Sequence, residues 1–312
     1  MRVIEQINAS LHGFMAGDAG AHVIGEDILD PYGGAFKATK GLSTAFPDRV
    51  LTSPISEAAI VGVATGMALK GKPVCVEIMF GDFITLCTDQ LINHMSKLPW
   101  VYDEQIAVPV VVRAPMGGKR GYGATHSQSL EKHFCGVPGL TVVAVSQFSD
   151  IERIYADAFA AKTPHLIIEN KLSYARRIEA RDIAPHADPD LVLVTYGGST
   201  EVCVEAAARL ADEEELRANV IEVTTLSPFD RADLAQRIGD CPAVLSVEEG
   251  ADGWGFGAEV ARVLVDMPAR VFATVTGPAH PIPSSKSWET ALLPNGDRVV
   301  GAAIDLLLGR RQ

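Results

Sequence analysis

The chain has 312 residues, of which 47% are hydrophobic and 21% are charged, the proportions of an ordinary globular protein. Its 39 acidic residues outnumber its 27 Lys and Arg residues, and the formal charge of −12 disfavours nucleic acid or a membrane as a partner, because both bind clustered cations. The five cysteines are dispersed without CxxC spacing, and the first residues lack the apolar core of a signal peptide. These features predict a soluble, cytoplasmic protein with reduced thiols.

Short β-branched runs alternate with helical patterns along the first half of the chain. The predicted strands cover 22–27, 49–53, 72–80, 108–115, 140–146 and 165–170, and the predicted helices cover 57–70, 83–98 and 150–161. Strands that are apolar almost throughout and are separated by helices predict a parallel sheet covered on both faces.

A polar, proline-containing stretch over 176–190 interrupts this pattern and predicts a link between two α/β domains. The pattern then restarts, with strands predicted over 191–198, 219–226, 243–250 and 270–276 and helices over 199–214 and near 231–238. We therefore expect an N-terminal domain over 1–178, a linker over 179–187 and a second, smaller domain over 188–312.

Hydrolase and nucleotide motifs do not account for the chain, since GxSxG, HExxH and P-loop patterns are all absent. A glycine cluster over 250–257 follows a predicted strand, but its spacing differs from GxGxxG. The preceding Glu248 and Glu249 would lie where a diphosphate has to bind. This cluster therefore favours a tight turn or a subunit contact over a nucleotide site.

Three other segments suggest chemistry. Glu57 starts an almost wholly apolar helix; the helix dipole alone could explain an acid there, but such a helix should be buried, and a buried acid has a tunable pKa. Phe80 and Phe83 follow a strand and could be plain core residues. A glycine-rich loop contains His126, which could be functional or could cap a following helix.

Several longer motifs extend over nearly the whole chain, namely GEDILDPYGGAFKATKGL (25–42), RVLTSPISEAAIVGVATGMAL (49–69), EIMFGDF (77–83), DQLINHMSK (89–97), HSQSLE (126–131), PGLTVVAVS (138–146), VTTLSPFD (223–230) and SVEEGADGWGFGAE (246–259). In these motifs the chain resembles the beta subunits of thiamine-diphosphate-dependent 2-oxoacid dehydrogenases, the group of the pyruvate, branched-chain and acetoin enzymes. The HSQ triplet at 126–128 and the GED block favour this family over transketolases, which share its fold.

The resemblance implies a pyrimidine-binding domain followed by a transketolase-type C-terminal domain. It implies that Glu57 hydrogen-bonds the 1′ ring nitrogen of the cofactor's aminopyrimidine, with Glu26 as a second acid across the pocket. The catalytic histidine would be His126, which contacts the substrate carboxylate or assists acyl transfer to a lipoyl group.

The same resemblance suggests which apolar residues bind the pyrimidine. Phe83 would be the stacking face and Phe80 its support. Ile55 matches an apolar position near the pyrimidine, and Met79 matches a position that is often polar in relatives. Together with Glu26 and Glu57, these four residues are the expected cofactor-binding set.

The sequence lacks the GDG motif with which this superfamily binds diphosphate and Mg²⁺. We therefore expect no metal ligand in this chain, and expect Mg²⁺ and the diphosphate to be held mainly by an alpha subunit in a tetramer of two alpha and two beta subunits. Other expected partners are a small 2-oxo acid and a lipoyl-bearing acyltransferase.

One alternative uses the same cofactor. A split transketolase or acyloin-type synthase would pass its carbanion to an aldehyde instead of lipoamide, but sugar-phosphate recognition needs basic residues, and Lys119 and Arg120 form the one obvious cluster. A non-catalytic scaffold is disfavoured because both Glu57 and His126 are present.

Overall fold

The computed structural model describes residues 1–268 and 270–309. None of the helices within these ranges is long and apolar enough to cross a bilayer. In chain order the helices and strands are α1 (Val3–Gly17), β1 (His22–Gly25), α2 (Leu42–Ala45), β2 (Val50–Thr52), α3 (Glu57–Ala68), β3 (Val74–Glu77), α4 (Leu98–Val101), β4 (Val110–Met116), β5 (Thr141–Val145), α5 (Ile151–Ala160), β6 (His165–Asn170), β7 (Leu191–Thr195), α6 (Ser199–Glu214), β8 (Ala218–Glu222), β9 (Thr225–Ser227), α7 (Arg231–Ile238), β10 (Ala243–Ala251), α8 (Phe256–Val265), β11 (Val271–Gly277), α9 (Lys286–Leu292) and α10 (Gly296–Leu307).

The described residues form two sheets, of seven and four strands. The first has the order β2-β1-β3-β4-β6-β5-β9 and is parallel except for β9, and the second has the order β11-β10-β7-β8 and is parallel throughout. All seven residues of β4 are buried, as expected for a central strand with both faces covered. The predicted α/β architecture is thus confirmed, while the boundaries at 178 and 188 remain a prediction.

The predicted strand over 219–226 is wrong in one respect, because the chain changes sheets within it. β8 ends in the second sheet at Glu222, whose buried carboxylate accepts hydrogen bonds from the Ser149 and Thr200 hydroxyls. Three residues later β9 begins, and it pairs antiparallel with β5 at the edge of the first sheet. One apolar core therefore continues across both sheets, with Ile24 and Val244 in the same cluster.

The predicted helix over 83–98 is also not a regular α-helix. It consists of a 3-10 helix over Gly81–Cys87 and a π-helix over Gln90–Met95. The hydroxyls of Thr85 and Thr88 each donate to a carbonyl three residues earlier, at 2.9 Å. Such local side-chain bonds compete with regular α-helical winding.

An ion cluster inside the first sheet links β3, β4 and β6. The Arg113 guanidinium donates to both Glu77 and Glu169, and the hydroxyls of Tyr155 and Tyr174 donate to Glu169. All these side chains are buried. Burial raises the pKa of Glu77 to about 6, although the Arg113 charge opposes that shift. We call Glu77 and Glu169 the matched acid pair, because a cation and hydrogen-bond donors offset the cost of burying them.

Candidate active site

The predicted site residues follow the carboxyl ends of four neighbouring strands. β1 ends one residue before Glu26, and a short turn joins β2 to Glu57 at the start of α3. β3 ends three residues before Phe80, and β4 leads into the glycine-rich loop that contains His126. These strands are parallel, so all four segments emerge at one edge of the sheet, the edge formed by the carboxyl ends of its strands. In open α/β sheets ligands bind at this edge.

Glu26 and Glu57 form a buried acid pair at this edge, each only 4% exposed. Burial raises the pKa of Glu26, the nearby Glu57 charge adds to that shift, and the Ser56 backbone N–H opposes it. One carboxylate oxygen of Glu26, Oε1, is buried without a hydrogen-bond partner, and neither acid forms an ion pair with a residue that the structure describes. We call Glu26 and Glu57 the unmatched acid pair.

Phe80, Phe83 and His126 form an aromatic cluster. The His126 ring lies 4.8 Å from the Phe80 ring and 5.1 Å from the Phe83 ring, edge-on to both, and the two phenylalanine rings are 6.2 Å apart. All three side chains remain partly exposed. The His126 Nδ1 lies 2.9 Å from the Thr125 hydroxyl. Since no helix starts at His126 and the next described helical turn begins at Glu131, helix capping does not explain this histidine.

The remaining two predicted cofactor residues are less enclosed. Ile55 is 82% exposed, and Met79 is half-buried just after β3. The expectation that the α3 helix is wholly buried is wrong for this chain, because the sheet covers only one of its sides. The other side exposes small and apolar residues at helical spacing, namely Ala59, Gly62, Val63 and Gly66.

Sequence reasoning missed two residues that hold this site together. Lys171 is 2% exposed, and its ammonium donates to the His126 carbonyl at 2.6 Å and lies 5.3 Å from the Phe80 ring. Burial lowers the Lys171 pKa to about 8. Asp82 accepts a hydrogen bond from the Gln128 side-chain amide at 2.8 Å. Lys171 directly follows β6, so the same strand-end rule that places His126 could have identified it.

The glycine cluster at the end of β10 is not arranged as a phosphate site. The Glu248 carboxylate accepts hydrogen bonds from the Phe256 and Gly257 backbone N–H groups, at 3.1 and 2.9 Å. A side-chain carboxylate therefore occupies the N-terminus of α8, where a phosphate would otherwise bind.

Comparison with known proteins first identifies the domains. Residues 2–176 match the transketolase pyrimidine binding domain, and residues 183–299 match the transketolase C-terminal domain. A solved split-gene transketolase, described as an inactive beta4 tetramer, superposes with a TM-score of 0.78 at 22% identity, with 98% of each chain covered. That similarity establishes the two-domain transketolase fold.

Relatives with known names then define the family. The chain is 31% identical to the 2-oxoisovalerate dehydrogenase subunit beta of Bacillus subtilis, with 98% of each chain covered. It is 30% identical to the acetoin:2,6-dichlorophenolindophenol oxidoreductase subunit beta of Cupriavidus necator, covering 97% of this chain and 96% of that one. A pyruvate dehydrogenase E1 beta-1 subunit of Arabidopsis thaliana is also 30% identical, with 97% and 88% covered. The chain belongs to the family of 2-oxoacid dehydrogenase beta subunits, which are oxidoreductase components.

Proposed function

We propose that this chain and an alpha subunit together form a thiamine-diphosphate-dependent enzyme that decarboxylates a small 2-oxo acid and passes the acyl group to lipoamide. The observation that carries this proposal is the unmatched acid pair, which lies at the same sheet edge as the aromatic cluster with His126. Relatives named for pyruvate and 2-oxoisovalerate support a small 2-oxo acid as the substrate.

The acid pair fits the aminopyrimidine of the cofactor. When bound, thiamine diphosphate supplies the carbanion that attacks the oxo carbon and takes up the electron pair left by carbon dioxide. Glu57 would hold the 1′ ring nitrogen and exchange a proton with it. The raised pKa of Glu26 favours its protonated form, and its unpartnered oxygen leaves hydrogen-bonding capacity beside Glu57.

The aromatic cluster fits the other requirements of this chemistry. Phe83 would stack on the pyrimidine and Phe80 would support it, while Ile55 and Met79 would line the same ring. His126 would orient the substrate carboxylate or move a proton during acyl transfer. The edge-on contacts of the imidazole with both phenylalanines support a fixed ring direction.

Two observations support a shared active site. The sequence lacks a GDG motif, and the described part of the chain contains no cluster of three or more His, Cys, Asp or Glu side chains suited to a metal. We propose that the alpha subunit holds Mg²⁺ and the diphosphate, and that it covers Ile55 and the exposed side of α3. The assembly would be a cytoplasmic tetramer of two alpha and two beta subunits that hands its product to a lipoyl-bearing acyltransferase.

The split-transketolase alternative has weaker support. At 22% identity, the split-gene transketolase supports the fold and nothing beyond it. A sugar-phosphate acceptor would need basic residues that can bind a phosphate. The Lys119 ammonium donates to the Pro294 carbonyl and the Lys171 ammonium to the His126 carbonyl, which leaves Arg120 for that role. Aldehyde transfer therefore remains the second candidate.

Co-expression with a candidate alpha subunit would test the proposal. Calorimetric titration with thiamine diphosphate and Mg²⁺ should give tight binding to the pair and none to this chain alone. Pyruvate and 2-oxoisovalerate should then reduce 2,6-dichlorophenolindophenol, and lipoamide should accept the acyl group in preference to aldehydes. Tight binding by the lone chain would contradict the shared site, and preferential transfer to aldehydes would favour the alternative.

A further inference from the structure

The loop over 117–130, which we call the histidine loop, lies against other parts of the chain at several points. Gly117 has a φ of +91°, and a Cβ there would collide with the Asn170 amide and lie 2.9 Å from the Glu249 Oε2. At Gly118 a Cβ would collide with the Leu293 side chain. Both glycines therefore permit a close approach of the loop backbone to the second domain.

Glu249, at the end of β10 in the second domain, uses both of its carboxylate oxygens. Its Oε1 accepts from the Gly118 backbone N–H, and its Oε2 accepts from the Asn170 side-chain amide, each at 2.9 Å. The Asn170 Oδ1 in turn accepts from the Leu172 backbone N–H at 2.9 Å. One carboxylate thus joins the histidine loop, the end of β6 and the end of β10.

Glu289 on α9 makes the next contact. Its side chain is fully buried, and one carboxylate oxygen accepts a hydrogen bond from the Gly121 backbone N–H. Between these two points the Lys119 ammonium donates to the Pro294 carbonyl. The segment 118–121 is therefore held by three bonds to the second domain. We call Glu249 and Glu289 the loop clamp.

The opposite end of the loop is held by the first domain. Lys171 donates to the His126 carbonyl at 2.6 Å, and Asp82 accepts from the Gln128 backbone N–H at 3.2 Å. His126 therefore lies between two fixed stretches of backbone, and its imidazole is edge-on to the Phe80 and Phe83 rings.

We infer that Glu249 and Glu289 are positioning residues, through which the second domain fixes the His126 imidazole at an active site built on the first domain. Charge-assisted bonds from a carboxylate to backbone N–H groups are among the stronger hydrogen bonds, and two of them anchor a glycine-rich segment that would otherwise be free to move. The consequence for catalysis rests on the proposed function of His126, whereas the restraint on the loop does not.

Limited trypsin digestion of the full chain tests the restraint without any activity assay, because Lys119 and Arg120 are cleavage sites inside the loop. In Glu249→Gln the side chain is neutral and has one acceptor oxygen, so one of the bonds from Gly118 and Asn170 is lost and the other is no longer charge-assisted. We expect cleavage after Lys119 or Arg120 to become about 10-fold faster, as identified by fragment masses.

Glu248→Gln is the matched control for this digestion. Glu248 is the adjacent acid; it is buried where Glu249 is partly buried, and its carboxylate bonds to the start of α8 and not to the loop. This variant should leave the loop as resistant to cleavage as it is in the unmodified chain. Equal cleavage of the Glu249 variant and the unmodified chain, or equal acceleration in both variants, would overturn the inference.

The reconstituted enzyme tests the consequence for His126. If Glu249 acts through the histidine, Glu249→Gln should lower kcat about 10-fold at an unchanged melting temperature, and combining it with His126→Gln should cost no more than His126→Gln alone. Multiplicative losses in the double variant would contradict the positioning role. A reconstituted complex with no 2-oxo acid turnover would contradict the proposed function instead, and the digestion would still decide the restraint.

Discussion

Two buried acid pairs lie in the first domain, one within the first sheet and one just beyond the carboxyl ends of its strands, and they differ in how their charge is offset. Glu77 and Glu169 share the Arg113 guanidinium, which makes ion pairs with both. Glu26 and Glu57 are equally buried, but no residue that the structure describes forms an ion pair with them. Burying a carboxylate without a cation is costly, and stability does not account for the unmatched pair. We propose that binding of a cofactor does.

Position along the strand separates these two roles. Gly25 of β1 pairs with Glu77 of β3, so Glu77 lies within the sheet and Glu26 lies just beyond the end of its strand. Inside the sheet, a charge can be reached only by neighbouring side chains. At the carboxyl edge it can also be reached by a ligand or by a partner subunit.

The largest expected effect comes from the unmatched pair. Glu57→Gln keeps the size of the side chain but removes its ability to take up a proton. We expect decarboxylation by the reconstituted complex to fall by about 10²–10⁴-fold, with assembly and melting temperature unchanged. Near-normal turnover would remove Glu57 from the mechanism, and a large loss of stability would place Glu57 with the matched pair.

Loss of the cation in the matched pair should instead lower the stability of the fold. Arg113→Met keeps an apolar chain of similar length but leaves Glu77 and Glu169 buried without their cation. We expect the free energy of unfolding in urea to fall by about 3–5 kcal/mol. The control is Arg217→Met, which breaks the exposed ion pair with Asp190 and should cost less than about 1 kcal/mol. If Arg113→Met lowers the free energy of unfolding as little as Arg217→Met does, the buried ion cluster does not stabilise the fold.

The sequence predicts the parts of this molecule that depend on local patterns. Apolar runs predict β4 and β6, and the strand-end rule brings Glu57 and His126 to one edge. The α1 helix was not predicted, although its buried residues recur every four positions, from Val3 to Met15. The change of sheets after Glu222 depends on pairing with β5, which no local pattern encodes.

The candidate site can likewise be predicted from the sequence only where it depends on local patterns. Glu57, Phe80 and His126 follow recognisable strands, whereas the loop clamp contacts residues more than a hundred positions away. Glu289 lies on a short helix with no feature that marks it as part of the site. Packing between the two domains brings it to the loop, so it becomes evident only in the folded chain.

Another buried acid, Glu131, tests whether the lack of a cation is enough to shift the pKa of a carboxyl group that belongs to neither pair. Glu131 accepts a hydrogen bond from the Tyr196 hydroxyl of the second domain, its other oxygen is unpartnered, and burial raises its pKa to about 7. It lines a cavity of about 560 Å³ between the domains. Folding therefore favours its protonated form.

The resulting stabilisation should be complete below the ordinary pKa of 4.5 and lost as pH rises through about 7. Between about pH 5 and pH 8, the unmodified chain should lose about 2–3 kcal/mol more unfolding free energy than Glu131→Gln, which cannot ionise. Urea unfolding across this range measures the difference. Parallel pH dependences in the two proteins would mean that folding does not raise the pKa of Glu131.

The smallest expected effect concerns the aromatic rings, which also differ between the two pairs. The Tyr155 and Tyr174 hydroxyls donate hydrogen bonds to Glu169 of the matched pair, whereas the Phe80 and Phe83 rings have no donor and offer only their faces and edges. Phe83→Leu keeps apolar volume but removes the stacking face, so thiamine diphosphate affinity of the reconstituted complex should weaken by about 2–10-fold in calorimetry. Phe80→Leu is the control and should weaken binding less, because its proposed role is to support Phe83. The reverse order of effects would assign the stacking face to Phe80 while leaving the contrast between the two acid pairs intact.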